Sequence, residues 1–154
     1  MLAGCASPQA QAPLPSFEAS AASATNVAGQ YQGNFLLKNT VIGKAFFDLT
    51  QSGTSVGGKL KLVLSGGTIH EPVAMTLDTA DNTLTGTAVD ASGNPVCTYA
   101  LSASYNPKTF VLRGTSSPLT CKGKVATFRT TERCFYNTGS SNATRRNATG
   151  IIEC

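Results

Sequence analysis

Between residues 28 and 133, apolar and polar positions alternate with a period of two. That is the spacing of a β-strand whose two faces meet different surroundings. Tyr31, Gly33, Phe35 and Leu37 fall on one face, and Gln30, Gln32 and Asn34 on the other. Ala45, Phe47 and Leu49 oppose Lys44, Asp48 and Thr50, while Val56, Gly58, Leu60, Leu62 and Leu64 oppose Lys59 and Lys61. Further on, Leu84, Gly86 and Ala88 oppose Thr83, Thr85 and Thr87, and Phe110, Leu112 and Gly114 oppose Arg113. The pattern predicts a buried set of Tyr31, Phe35, Phe47, Leu60, Leu62, Leu84, Tyr99, Leu101, Phe110, Leu112 and Phe128.

Gly33, Gly58, Gly86 and Gly114 occupy equivalent places in four of these segments, at spacings of 25, 28 and 28 residues. Turn chemistry precedes three of them: Ser52-Gly53, Ala80-Asp81-Asn82 and Asn106-Pro107. A hairpin recurring at about 28 residues is an internal repeat. One opening strand, three hairpins and a closing strand near 124–130 make eight strands, the number whose inward side chains just fill a closed barrel. All four repeat glycines lie on the apolar face, where they let a strand coil sharply enough to close it. The predicted fold is therefore all-β: an eight-stranded antiparallel up-and-down barrel, its last strand paired with its first. The competing arrangement is an open sandwich in which the glycines mark bulges. The outward residues are Lys, Thr, Asp, Asn and Gln, so the barrel is expected to be soluble; a membrane-spanning barrel turns its apolar face outward.

Residues 6–27 are almost all Ala, Ser, Pro, Gln, Thr and Asn, with no sustained period. Such a composition cannot offset its own ordering entropy, and it predicts a disordered tether. Ahead of it stands Leu2-Ala3-Gly4-Cys5, which resembles the lipobox of bacterial lipoproteins. The resemblance implies that residues 1–5 are the remnant of a signal sequence, with its positive and apolar regions upstream of Met1. It also implies that Cys5 is the lipid-attachment site and that its acyl chains hold the protein on a membrane. Ala6 and Ser7, rather than an aspartate, follow the cysteine. In the proteobacterial members of that family this implies the outer membrane. The segment 28–133 resembles the small, lipocalin-like eight-stranded domains of envelope lipoproteins, on the strength of Gly29-Gln30-Tyr31-Gln32-Gly33 and the repeat. True lipocalins carry a Gly-x-Trp near the first strand; this chain has no Trp, and its short loops leave little to rim a ligand mouth.

Formal charge is +4, but only 13% of residues are charged. That is a sparse basic surface and not a nucleic-acid footprint, so no nucleic-acid partner is expected. No stretch reaches the ~18 apolar residues of a membrane-spanning helix. With Cys5 set aside, four of the five cysteines remain. Three connectivities exist for four cysteines, and sequence neighbours are the expected partners in a meander of strands, giving Cys97–Cys121 and Cys134–Cys154. Two disulfides fit an oxidising compartment. None of the four lies in a Cys-x-x-Cys pair and His70 is the only histidine, which argues against zinc; no cofactor is expected.

His70 and Glu71 are neighbours, but adjacent strand residues point to opposite faces and do not form an acid–base pair; Pro72 marks His70 as an edge-strand histidine. No nucleophile elbow or phosphate loop is present. Asp78 and Asp81 flank a turn and are expected to serve it rather than calcium. The segment 134–154 holds Asn137, Ser140, Ser141, Asn142, Arg145, Arg146 and Asn147 between two cysteines. This polar, basic, disulfide-closed loop is the expected binding site, with Arg145 and Arg146 suited to phosphate or carboxylate. The expected function is a non-catalytic, lipid-anchored envelope protein, structural or binding a protein or glycan. The alternatives are an inhibitor of a periplasmic hydrolase, of protease or lysozyme type, and a carrier of a small apolar ligand.

Overall fold

A computed structural model of the chain describes residues 25–133, together with the backbone of residues 146–147 and 150–151. Its strands are β1 (Gly29–Leu37), β2 (Thr40–Ser52), β3 (Ser55–Leu64), β4 (Gly67–Asp78), β5 (Thr83–Asp90), β6 (Cys97–Asn106), β7 (Val111–Pro118) and β8 (Ala126–Glu132). They form a closed barrel in sequence order, every neighbour antiparallel. The ladder from Tyr31↔Glu132 to Leu37↔Ala126 joins β1 to β8 and removes both sheet edges. The eight strands expected from the repeat are all present; the closing strand begins two residues later than the sequence suggested. A short antiparallel pair, β9 (Arg146–Asn147) and β10 (Gly150–Ile151), follows.

The alternation decides which face turns inward. Tyr31, Phe35, Phe47, Leu60, Leu62, Leu84, Leu101, Leu112 and Phe128 are buried, as the pattern predicted. Phe47 packs on Phe128 with ring centroids 5.0 Å apart, and Tyr31 meets Tyr105 edge-on at 6.3 Å. Two expected core residues are only half-buried. Phe110 is not in a strand: it closes the β6–β7 turn at φ +56° and packs against the core from its border. Tyr99 points inward but lies close to one end of the barrel.

The four repeat glycines sit where neighbouring backbones touch. A Cβ on Gly33, Gly58, Gly86 or Gly114 would collide with the carbonyl oxygen of Arg129, Asp48, Ala74 or Ser102, respectively, on the adjacent strand. Inward curvature brings those backbones together, and only a residue without a side chain fits between them.

The two ends of the barrel differ. The near end carries the turns at 53–54, 79–82 and 107–110, and the segment 25–28 folds across it. Val27 is fully buried there; its carbonyl accepts from the Tyr31 hydroxyl at 2.8 Å and its N–H donates to Gln51 Oε1 at 2.7 Å. Gln51 Nε2 donates in turn to the Thr25 carbonyl at 3.0 Å, and the Thr25 hydroxyl donates to Asn82 Oδ1 at 2.6 Å. The far end carries the β1–β2 and β3–β4 turns and the longer loops 91–96 and 119–125.

Candidate functional site at the far end of the barrel

The wall of the barrel parts at the far end. The β4–β5 ladder stops at Val73↔Ala88. Beyond it, β4 pairs only with β3 as far as Gly67, and β5 pairs only with β6 as far as Asp90. Pro72 stands at the break and has no N–H to donate across it. Continuing the register past the break sets Glu71 against Asp90, two carboxyl groups on the inward face. Glu71 is 3% exposed. Burial, followed by the nearby charge of Asp90, pushes its pKa from the usual 4.5 up to about 7. Tyr99, the next inward residue across β6, is also raised, first by burial and then by Glu71 and Asp90. Asp90 is half-buried and holds the following loop, its Oδ1 accepting from the N–H of Ser92 at 2.9 Å and from the Ser92 hydroxyl.

The same end of the barrel carries an apolar rim. Among the described residues, the large hydrophobic side chains left exposed are Val41, Ile42, Val63, Val96, Leu119 and Val125, and every one is at the far end. Their exposures run from 36% for Ile42 to 59% for Leu119. Ile42 and Leu64, with Ser65, Gly66, Gly67, Thr68 and Ile69, border a groove of about 400 Å³ beside the rim. The two long loops are fixed to each other. Cys97 and Cys121 form the disulfide expected from the sequence, with Cα atoms 5.4 Å apart. Leu119 N–H donates to the Thr98 carbonyl at 2.8 Å, and Thr98 N–H donates to Thr120 Oγ1 at 2.8 Å. Val96 and Leu119 are therefore presented on a braced surface.

Chemically, the opening offers two carboxyl groups on adjacent strands, of which Glu71 holds its proton to near neutrality. That combination can accept hydrogen bonds and charge from a cationic group inserted between them. Among the described residues, no group of three or more His, Cys, Asp or Glu is gathered for a metal. His70 is exposed, paired with Lys61 of β3, and on the opposite face from Glu71; on its other side β4 has no partner at that level, the local edge that Pro72 suggested. Asp78 and Asp81 serve the β4–β5 turn, accepting from Ala80 N–H at 2.9 Å and Thr83 N–H at 3.1 Å.

Several residues singled out from the sequence, Cys5, Cys134, Arg145 and Cys154, lie outside the described residues; of Arg146 the structure gives the backbone, in β9. The far-end rim was missed. Its signals were breaks in the alternation, the doublet Val41-Ile42 and the run Leu62-Val63-Leu64, each of which forces an apolar side chain outward. No family model matches the chain, and neither does any curated protein or solved structure.

Proposed function

We propose that the chain is a non-catalytic, lipid-anchored cell-envelope protein that binds a partner protein at the far end of its barrel. One observation carries this reading: among the described residues, the six exposed large hydrophobics all gather at the end opposite the entering chain. A concentration of exposed apolar side chains at one end of a barrel marks an interaction site. The partner's chemistry follows from charge. Glu71 and Asp90 stand at the opening, and residues 62–107, which include β4, β5 and β6, contain neither Lys nor Arg. An apolar protein surface bearing a lysine or arginine complements that side of the opening.

An anchor at Cys5 suits this arrangement. Thr25 begins at the near end, so a tether from the membrane, expected to be the outer membrane, would leave the rim facing away. If the partner is an exported hydrolase whose cleft receives the rim, the same surface acts as an inhibitor. The carrier alternative has less behind it, because Tyr31, Phe47 and Phe128 occupy the interior.

The test is photocrosslinking in envelope vesicles from a reactive residue placed at position 119. One adduct of defined mass is expected, its cross-linked segment carrying Lys or Arg, and Val96→Asp should abolish it. An adduct that survives Val96→Asp, or that forms equally from position 59 on the wall, refutes the far end as the binding surface. The anchor is tested separately: with a complete export signal, Cys5→Ser should move the protein out of the detergent phase.

A further inference from the structure

A second feature lies on the outer wall, by the near end. Arg113 of β7 and Arg129 of β8 are direct cross-strand partners, both outward and exposed. Like charges placed directly opposite each other on a sheet repel. Arg129 faces Asn34 on its other side, and that amide is already engaged, its Oδ1 accepting from Lys44 Nζ at 2.8 Å. Arg113 faces Ser104. The two arginines enter a groove of about 560 Å³ that Ser104, Asn106, Lys108 and Thr109 complete, with no acidic residue in its lining. Among the described residues, Arg113, Arg129 and Lys108 form no ion pair.

Charge elsewhere in the barrel reinforces the groove. Residues 28–61 and 108–133 hold ten Lys and Arg against two acids, Asp48 and Glu132. Asp48 is already set against Lys59 across β2 and β3. On the wall formed by β7, β8, β1 and β2, Lys44, Arg113 and Arg129 outnumber Asp48 and Glu132, and Lys38, Lys108, Lys122, Lys124 and Arg133 stand at its turns and ends, so the wall is net positive and concentrates anions.

We propose that this groove binds a phosphate-type oxyanion, held by the guanidinium groups of Arg113 and Arg129 with Lys108 as a third cation. Opposed side chains on paired strands start about 5 Å apart, close enough for two guanidinium forks to share one tetrahedral anion. A bridging anion turns the repulsion between the arginines into attraction for a common ligand. The hydroxyl groups of Ser104 and Thr109 add donors at the border. The oxyanion can arrive as soluble phosphate or as the headgroup of an anionic phospholipid. This assignment concerns the other end of the barrel from the rim and stands whether or not the partner reading holds.

The experiment uses the unacylated full chain, isotope-labelled for NMR. One arm titrates inorganic phosphate and follows the arginine Nε–Hε signals. The other measures co-sedimentation with phosphatidylcholine vesicles, with and without phosphatidylglycerol. Saturable shifts at Arg113 and Arg129 support the site and identify soluble phosphate as sufficient. Binding only to phosphatidylglycerol vesicles supports it and identifies the headgroup. In either arm, Arg113→Gln with Arg129→Gln should weaken binding by about tenfold or more. The pair Lys59→Gln with Lys61→Gln removes the same charge from another part of the wall and should weaken it by about twofold or less. Both pairs are exposed, and matching thermal midpoints will confirm intact folds. The proposal is overturned if neither probe binds, or if the two double variants weaken binding equally.

Discussion

Replacing Glu71 by glutamine should stabilise the barrel above neutrality and leave it unchanged in acid. The substitution keeps the side-chain shape and removes the ionisable group. In the parent, burial and Asp90 raise the carboxyl from 4.5 to about 7. An acid whose folded pKa lies above its unfolded value keeps its proton longer in the native state. The native state then binds more protons between those two values, and stability falls as pH rises through that window. Below about pH 4.5 the group costs nothing, and above about pH 7 the loss is complete. At ~1.4 kcal/mol per pKa unit, the rise sets a ceiling of about 3.5 kcal/mol. Glu71 lies beside the break in the wall, so water screens part of this, and about 1–2 kcal/mol is expected. For a domain of this size that corresponds to about 4–8 °C in thermal midpoint. Unfolding should be followed for parent and Glu71→Gln at about pH 4 and about pH 8, on either side of the window. The midpoints should coincide at the lower pH and separate at the higher, with the variant the more stable. Asp90→Asn should give part of the same effect, because it removes the second cause of the shift. Midpoints that differ equally at both pH values would refute the reasoning.

The core and the closure of the barrel give two further tests. Leu60 is 1% exposed in the packed interior, so Leu60→Ala should cost about 2–5 kcal/mol in urea unfolding; a cost below about 1 kcal/mol would contradict a filled core. Gly114→Ala drives a Cβ into the Ser102 carbonyl and the Ala103 backbone, and should cost about 3 kcal/mol in the same assay, the upper end for overpacking; a neutral result would mean the strands approach less closely than described.

Much of the architecture follows from the sequence alone, because its determinants are local. The period-two alternation, the turn residues and the glycine at each repeat act within one strand or hairpin, and together they imply eight strands and a closed meander. The Cys97–Cys121 pairing follows from the same meander, which brings neighbouring strand ends together. The two candidate sites depend on tertiary structure. The β4–β5 register brings Glu71 and Asp90 within electrostatic reach just beyond the end of the ladder, a matter that neither strand encodes by itself. The apolar rim exists because alternate connections of an up-and-down barrel return to the same end, collecting exposed side chains from residue 41 to residue 125. Arg113 and Arg129 become neighbours only when β7 and β8 pair, with the loop between them fixing the offset. Local pattern selects which face of each strand is buried; the closed sheet decides which distant residues share a surface, because register and closure are set by all eight strands at once.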